Sequence, residues 1–210
     1  MLAVIFEVCP KAGHWDDYLG YARLLKPELE GIDGFIENER FASKRREGWL
    51  VSLSTWRDEK ALVRWRTHAL HHDVQMKGRT EVFRDYHLRV GEITADTRLP
   101  AGAGLEQQRY DETAVGSAKI AVLTEIPLDQ AGAAEGADLA AVEWDLFESI
   151  TRPGRALILS FWRNAEAAGG WLARPALRQR TVRVIRDYGM FSRAEAPQYY
   201  PPISPATPQE

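Results

Sequence analysis

The sequence predicts an α+β fold in which a ferredoxin-like β-α-β-β-α-β unit is used twice. Three observations carry this. Trp56-Arg57 stands at a polar corner between an apolar strand and a helix-period segment that contains Trp65. The same text returns 106 positions later as Trp162-Arg163, with Trp171 nine residues on. The match continues without a gap through Phe41 and Phe147, Gly48 and Gly154, and Leu53 and Leu159. Finally, apolar spacing over the first 94 residues alternates between short strand-like runs and helical periods in the order the split βαβ arrangement requires.

In chain order, residues 2–9 are apolar and end at Cys9-Pro10-Lys11-Ala12-Gly13, which predicts a buried strand. Trp15, Tyr18, Leu19, Ala22 and Leu25 then recur at helical spacing, with Pro27 and Gly31 bounding that helix. Phe35 to Ser43 and Trp49 to Trp56 read as the arms of a hairpin across the polar turn Lys44-Arg45-Arg46-Glu47-Gly48. Asp58 is placed to cap the next helix, whose apolar stripe is Leu62, Trp65, Ala69, His72 and Met76. Gly78 ends it, and Val82 to Ile93 is the fourth strand.

Residues 95–117 lose periodicity and gain Gly and Pro, the mark of a linker or long surface connection. The second copy occupies 118–195, followed by a Pro-rich tail, 196–210, expected to be extended and frayed. Matching Glu7 to Glu125 leaves the second copy twelve residues short where its first helix belongs. Leu128 to Leu139 has small residues and two glycines, so a shortened or lost helix is expected there. Arg84-Asp85-Tyr86 answers Arg186-Asp187-Tyr188 at an offset of 102, implying a further loss of four residues after Trp171.

Composition narrows the function classes. Hydrophobic residues make up 45% and charged residues 27%, with a net charge of −3 and little difference in charge between the two halves. No basic face is implied, so nucleic-acid and anionic-membrane partners are not expected. The single Cys9 fits a reducing, cytoplasmic setting. The apolar start Met1 to Phe6 meets Glu7 at once, and no run approaches membrane-spanning length.

Several of these residues together resemble one family. Trp56-Arg57-Asp58-Glu59-Lys60-Ala61, Trp65-Arg66-Thr67-His68-Ala69-Leu70-His71, Gln75, Gly78-Arg79 and Tyr86-His87-Leu88-Arg89-Val90 are similar to the antibiotic biosynthesis monooxygenase (ABM) domain. The resemblance covers residues 1–94, and more weakly 118–195. It implies that the two repeats pair within the chain into an α/β barrel, as two separate domains of this kind do, and leaves open a homodimer of the whole chain. The family's members include cofactor-free oxygenases of polyphenols, haem-degrading enzymes and isomerase-like relatives, so fold alone does not choose the chemistry. Haem-degrading relatives carry a first-strand asparagine, a helix tryptophan, and a histidine nine or ten residues beyond it. Trp65 matches, but Phe6 and Glu7 stand in the strand and Val74 and Gln75 in the histidine positions.

All five histidines (His14, His68, His71, His72 and His87) lie in the first copy. His68 shares a helix face with His71 or His72, but Asp73 and Glu59 complete no recognised metal-ligand motif, so no metal is expected. His72, on the stripe with Trp65, is the leading candidate base, either toward a phenol or as an axial haem ligand, with His71 and His68 behind it. Trp15, Tyr18 and Asn38 are candidate substrate contacts, and Arg79 or Arg40 would stabilise anionic charge. The expectation is a monooxygenase acting on a small planar aromatic or phenolic molecule without metal or flavin. The rivals are a non-catalytic small-molecule binder and a haem-binding or haem-degrading protein. Trp56 and Trp162, shared with the histidine-free copy, are expected to be structural.

Overall fold

A computed structural model of the chain describes residues 1–132 and 140–204. The first half runs β1 (Leu2–Pro10), α1 (Trp15–Glu30), β2 (Phe35–Ser43), β3 (Leu50–Trp56), α2 (Glu59–Arg66), α3 (Ala69–Lys77), a π-helical turn (Gly78–Val82) and β4 (Phe83–Asp96). The second runs β5 (Ile120–Pro127), a 3-10 turn (Leu128–Gln130), β6 (Glu143–Ser149), β7 (Arg155–Trp162), α4 (Ala165–Leu172) and β8 (Arg178–Gly189). Of the segment Leu128–Leu139, expected to be a shortened helix or loop, residues 133–139 lie outside the described residues. No helix among the described residues is long and apolar enough to cross a membrane.

The eight strands close into one antiparallel barrel in the order β1-β3-β2-β6-β7-β5-β8-β4, which leaves no free edge. Two seams join the halves. The β2·β6 seam is short, from Phe41↔Ser149 to Ser43↔Phe147. The β4·β8 seam is long, from His87↔Gly189 to Asp96↔Arg180.

Strand alternation sends two kinds of side chain to two places. From β1, Ala3 and Ile5 point into the barrel, where they pack with Phe41, Leu53, Leu123, Phe147, Leu159, Phe161 and Val184. Leu2, Val4 and Phe6 point outward, under the helices of the first half. Ion-paired side chains are buried among the strands as well. Arg89 meets Glu7 and Asp187, while Arg180 meets Glu125 and Glu37. The linker does not stay on the surface: Ala103 and Leu105 pack against the barrel core.

The repeated corner is built the same way in both halves. The Trp56 indole donates to Ser54 Oγ at 2.9 Å, and the Trp162 indole to Ser160 Oγ at 3.0 Å. The Asp58 carboxylate accepts from Ala61 N, and the Asn164 side chain accepts from Ala167 N, each at 2.8 Å. Each corner thus fixes one tryptophan and starts one helix.

Strand register corrects the second offset. Leu2 faces Trp56 and Glu92, whereas Ile120 faces Trp162 and Arg183. Glu92 and Arg183 are therefore counterparts at an offset of 91, against 106 at the tryptophans. The second half is 15 residues shorter between last helix and last strand, not four. It lacks counterparts of α3 and the π turn. Arg84-Asp85-Tyr86 opens β4 while Arg186-Asp187-Tyr188 closes β8, so the two triplets are not equivalent.

Candidate active site

A cavity of about 210 Å³ lies on the outer face of the first half of the barrel. Val4, Phe6, Leu88 and Val90 form its floor, and Tyr18, Leu25, Leu62, Trp65, His71 and Gln75 form the helical wall above. Asn38, Ser52 and Ser54 supply a polar side from β2 and β3. Asn38 is held in place, its Nδ2 donating to Ser52 Oγ and to the Leu53 carbonyl, both at 3.0 Å. Ile185, Arg186 and Tyr188 reach in from β8, so the second half contributes to the cavity of the first.

Where the helix breaks decides which histidine faces the cavity. α2 ends at Arg66, and His68 takes an extended conformation (φ −63°, ψ 128°) before α3 begins. The stripe that starts at Leu62 and Trp65 therefore does not continue in phase. His71 and Gln75 face the cavity, whereas Ala69 and His72 are exposed. His72 as a cavity base is thereby corrected, because the periodicity was carried across a break. His72 instead lies near-parallel to the Tyr200 ring, centroids 5.7 Å apart. His68 also lies off the cavity, with Nε2 3.4 Å from Glu28. Trp15 packs with Tyr18 and Phe83 without lining the cavity. Trp65, Tyr18, Asn38 and Arg79 do line it.

The His71 ring stacks on Trp65 at 4.1 Å and 16°, with Nδ1 2.9 Å from the Trp65 carbonyl oxygen. A carbonyl only accepts, so the neutral ring donates from Nδ1 and keeps a lone pair on Nε2. Burial pushes its pKa down to about 4, more than the Trp65 carbonyl pulls it up, and His68 and His72 add to the lowering. At neutral pH His71 is an uncharged acceptor, and cationic stabilisation falls to other groups. Among the described residues, no group of three or more His, Cys, Asp or Glu is placed to hold a metal.

Arg79 sits on the π turn and is only 5% exposed. The turn presses on the start of β4: a Cβ at Gly78 would lie 2.5 Å from the Phe83 ring, so a side chain there would force the turn or the ring to shift. Arg79 Nη1 donates to the Tyr86 hydroxyl and, at 3.3 Å, to the Met190 carbonyl. Burial, with Tyr86 close by, pushes the Tyr188 phenol up to about 12.

The tail is a strap, not a frayed end, up to the last described residues. Gln198 donates to the Arg66 carbonyl at 3.2 Å, and Tyr200 OH donates to Gln75 Oε1 at 2.8 Å. Tyr200 is 6% exposed, and Ile203 packs beside Tyr18 and Met190. Pro197, Gln198 and Tyr200 close one side of the cavity.

Comparison with known proteins follows the same division of the chain. The family model described as antibiotic biosynthesis monooxygenase matches residues 1–77, from β1 through α3. A protein of Pyricularia oryzae named jasmonate monooxygenase ABM is 43% identical, over 97% of this chain and all of its own length. Among solved structures, an aldoxime dehydratase aligns over 87% of this chain and 80% of its own with a TM-score of 0.56 at 13% identity, a likeness of fold. The structure of an antibiotic biosynthesis monooxygenase aligns over 43% of this chain and 95% of its own, with a TM-score of 0.39 and 19% identity.

Proposed function

Because this chain belongs to the antibiotic biosynthesis monooxygenase family, we propose that it oxygenates a small, largely apolar molecule held in the cavity beneath α2 and α3. The observation that carries this reading is the uncharged imidazole of His71, set flat on Trp65 inside an apolar cavity. There His71 Nε2 accepts a proton or a hydrogen bond from the reacting group, and Trp65 provides the wall. Tyr18, Asn38 and Arg79 contact substrate. Placing the site in the first half also fits a ferredoxin-like repeat in each half of the barrel, only one of them equipped with α3.

The full-length relative is named for jasmonate, so a small cyclic ketone acid of that class is the first substrate to try. Hydroxylating one of its C–H bonds puts one oxygen atom of O2 into the product. The other leaves as water, using two electrons and two protons from an added reductant such as ascorbate.

The flat wall of Trp65 and His71 favours a second reading, a planar phenol. A methylene flanked by phenolic rings becomes a ketone with one O2 and releases one water, with no outside electrons, metal or flavin.

Incubation with 18O2 and either jasmonic acid plus ascorbate or a panel of phenols tests the proposal. Label in the product, abolished in His71→Ala, is the expected result. Tight binding without product in either class would make the protein a non-catalytic binder. His71 is the histidine in the cavity that could serve haem as axial ligand, and a Soret shift on adding haemin that vanishes in His71→Ala would replace the cofactor-free reading.

A further inference from the structure

We propose that the substrate is a monocarboxylate and that Arg79 is the anchor for its carboxylate, an assignment that rests on the cavity being the substrate site.

Buried arginines elsewhere in this chain come with carboxylates. Arg89 pairs with Glu7, Glu143 and Asp187. Buried Arg180 pairs with Glu37 and Glu125, and even the partly buried Arg178 and Arg183 pair with Glu37 and Asp96 and with Glu92. Arg79 is buried as deeply as Arg89, yet no carboxylate among the described residues lies within 4 Å of it. Its Nη2 is buried and has no hydrogen-bond partner, and the side chain lines the cavity. Taking a guanidinium out of water without an anion is costly, so the missing counterion is best supplied by what fills the cavity.

The surroundings suit one carboxylate. Tyr86 OH accepts from Arg79 Nη1 and, at 2.7 Å, from Arg193 Nη1, which leaves its own proton to donate. Arg193 likewise has no carboxylate partner among the described residues, so two positive charges meet at this hydroxyl. Among the described residues the one acid that lines the cavity, Glu59, is already paired with Arg109 at 2.6 Å. Arg79 Nη2 and Tyr86 OH together offer two donors to two carboxylate oxygens. Arg40, Arg66 and Arg186 also line the cavity without acid partners among the described residues, but all three are only partly buried.

The π turn is the second sign. Such a turn interrupts the regular helical ladder and recurs at functional sites. Here it carries the one buried guanidinium that points at the cavity, and the second half has neither the turn nor a counterpart of Arg79.

The test is calorimetric titration of the full chain with jasmonic acid and with methyl jasmonate, the same skeleton without the charge. Wild type should bind the acid at least about 10-fold more tightly than the ester. Arg79→Gln should weaken acid binding by about 10- to 100-fold while leaving the ester within about twofold, and Arg79→Lys should fall between. Should Arg79→Gln fail to fold, Tyr86→Phe removes the second donor and should lower the acid's advantage several-fold. Equal binding of acid and ester by wild type, or an acid affinity that a folded Arg79→Gln retains, overturns the anchor and leaves the proposed cavity standing. Failure of both compounds to bind wild type overturns anchor and substrate class together.

Discussion

The His71 ring lies 4.1 Å from the Trp65 ring, and its Nδ1 reaches back to the carbonyl oxygen of the same tryptophan. One residue thereby sets both the plane and the tautomer of the other. The break between α2 and α3 makes this possible, since six residues of unbroken helix would put the two side chains on different faces.

That relationship fixes a pH dependence. A buried histidine held near pKa 4 resists protonation that the unfolded chain accepts near 6.5. The unfolded state therefore binds the extra proton between those values, and stability falls as pH drops from about 6.5 toward 4, then levels. The full span corresponds to at most about 3 kcal/mol. Denaturant unfolding across that window should show the slope in wild type, and its flattening in His71→Phe assigns it to this residue.

Gly78 should tolerate no side chain. In Gly78→Ala the new methyl meets the Phe83 ring, and the π turn or the ring must shift to make room. Overpacking of this kind costs about 1–3 kcal/mol. Because Arg79 is the next residue, ligand binding should suffer beyond what the lower melting temperature accounts for. Calorimetry at a temperature where the variant is fully folded separates the two effects.

The two helix caps should weigh alike. Asp58→Ala and Asn164→Ala each remove one acceptor from a helix N-terminus, at about 1 kcal/mol apiece. Only the first should disturb ligand binding, because α2 walls the cavity and α4 does not. Chemical denaturation and titration of both variants check this.

Deleting residues 196–210 should uncover the cavity without unravelling the barrel, whose last strand ends at Gly189. The expected signature is a KM raised by about 10-fold or more with secondary structure intact, read by steady-state kinetics and circular dichroism.

Much of the fold could be read along the chain. The Trp-Arg corner repeats because its hydrogen bonds and cap are local, and local constraints leave local text. The cavity was legible only in part. Trp65, His71, Tyr18, Asn38 and Arg79 were recognisable, but His72 was ranked ahead of His71. A helical period is blind to a two-residue break, and Thr67-His68 carries neither proline nor glycine to announce one. The Arg-Asp-Tyr match misled because identical triplets can sit at opposite ends of a strand, and only pairing partners fix register. Tyr200 and Arg193 were invisible as cavity residues because their partners lie more than 100 positions away in β4 or α3.

The missing fifteen residues of the second half bear on what a joined barrel permits. When two identical chains form a dimer, every deletion is suffered twice, once on each side of the symmetry axis. Here both halves belong to one chain, and only the first carries the helix and turn that wall its cavity. What remains of it still closes the barrel and lends Ile185, Arg186 and Tyr188 to its neighbour. Held in one chain, the two halves need not match, and here one serves as scaffold while the other carries the chamber.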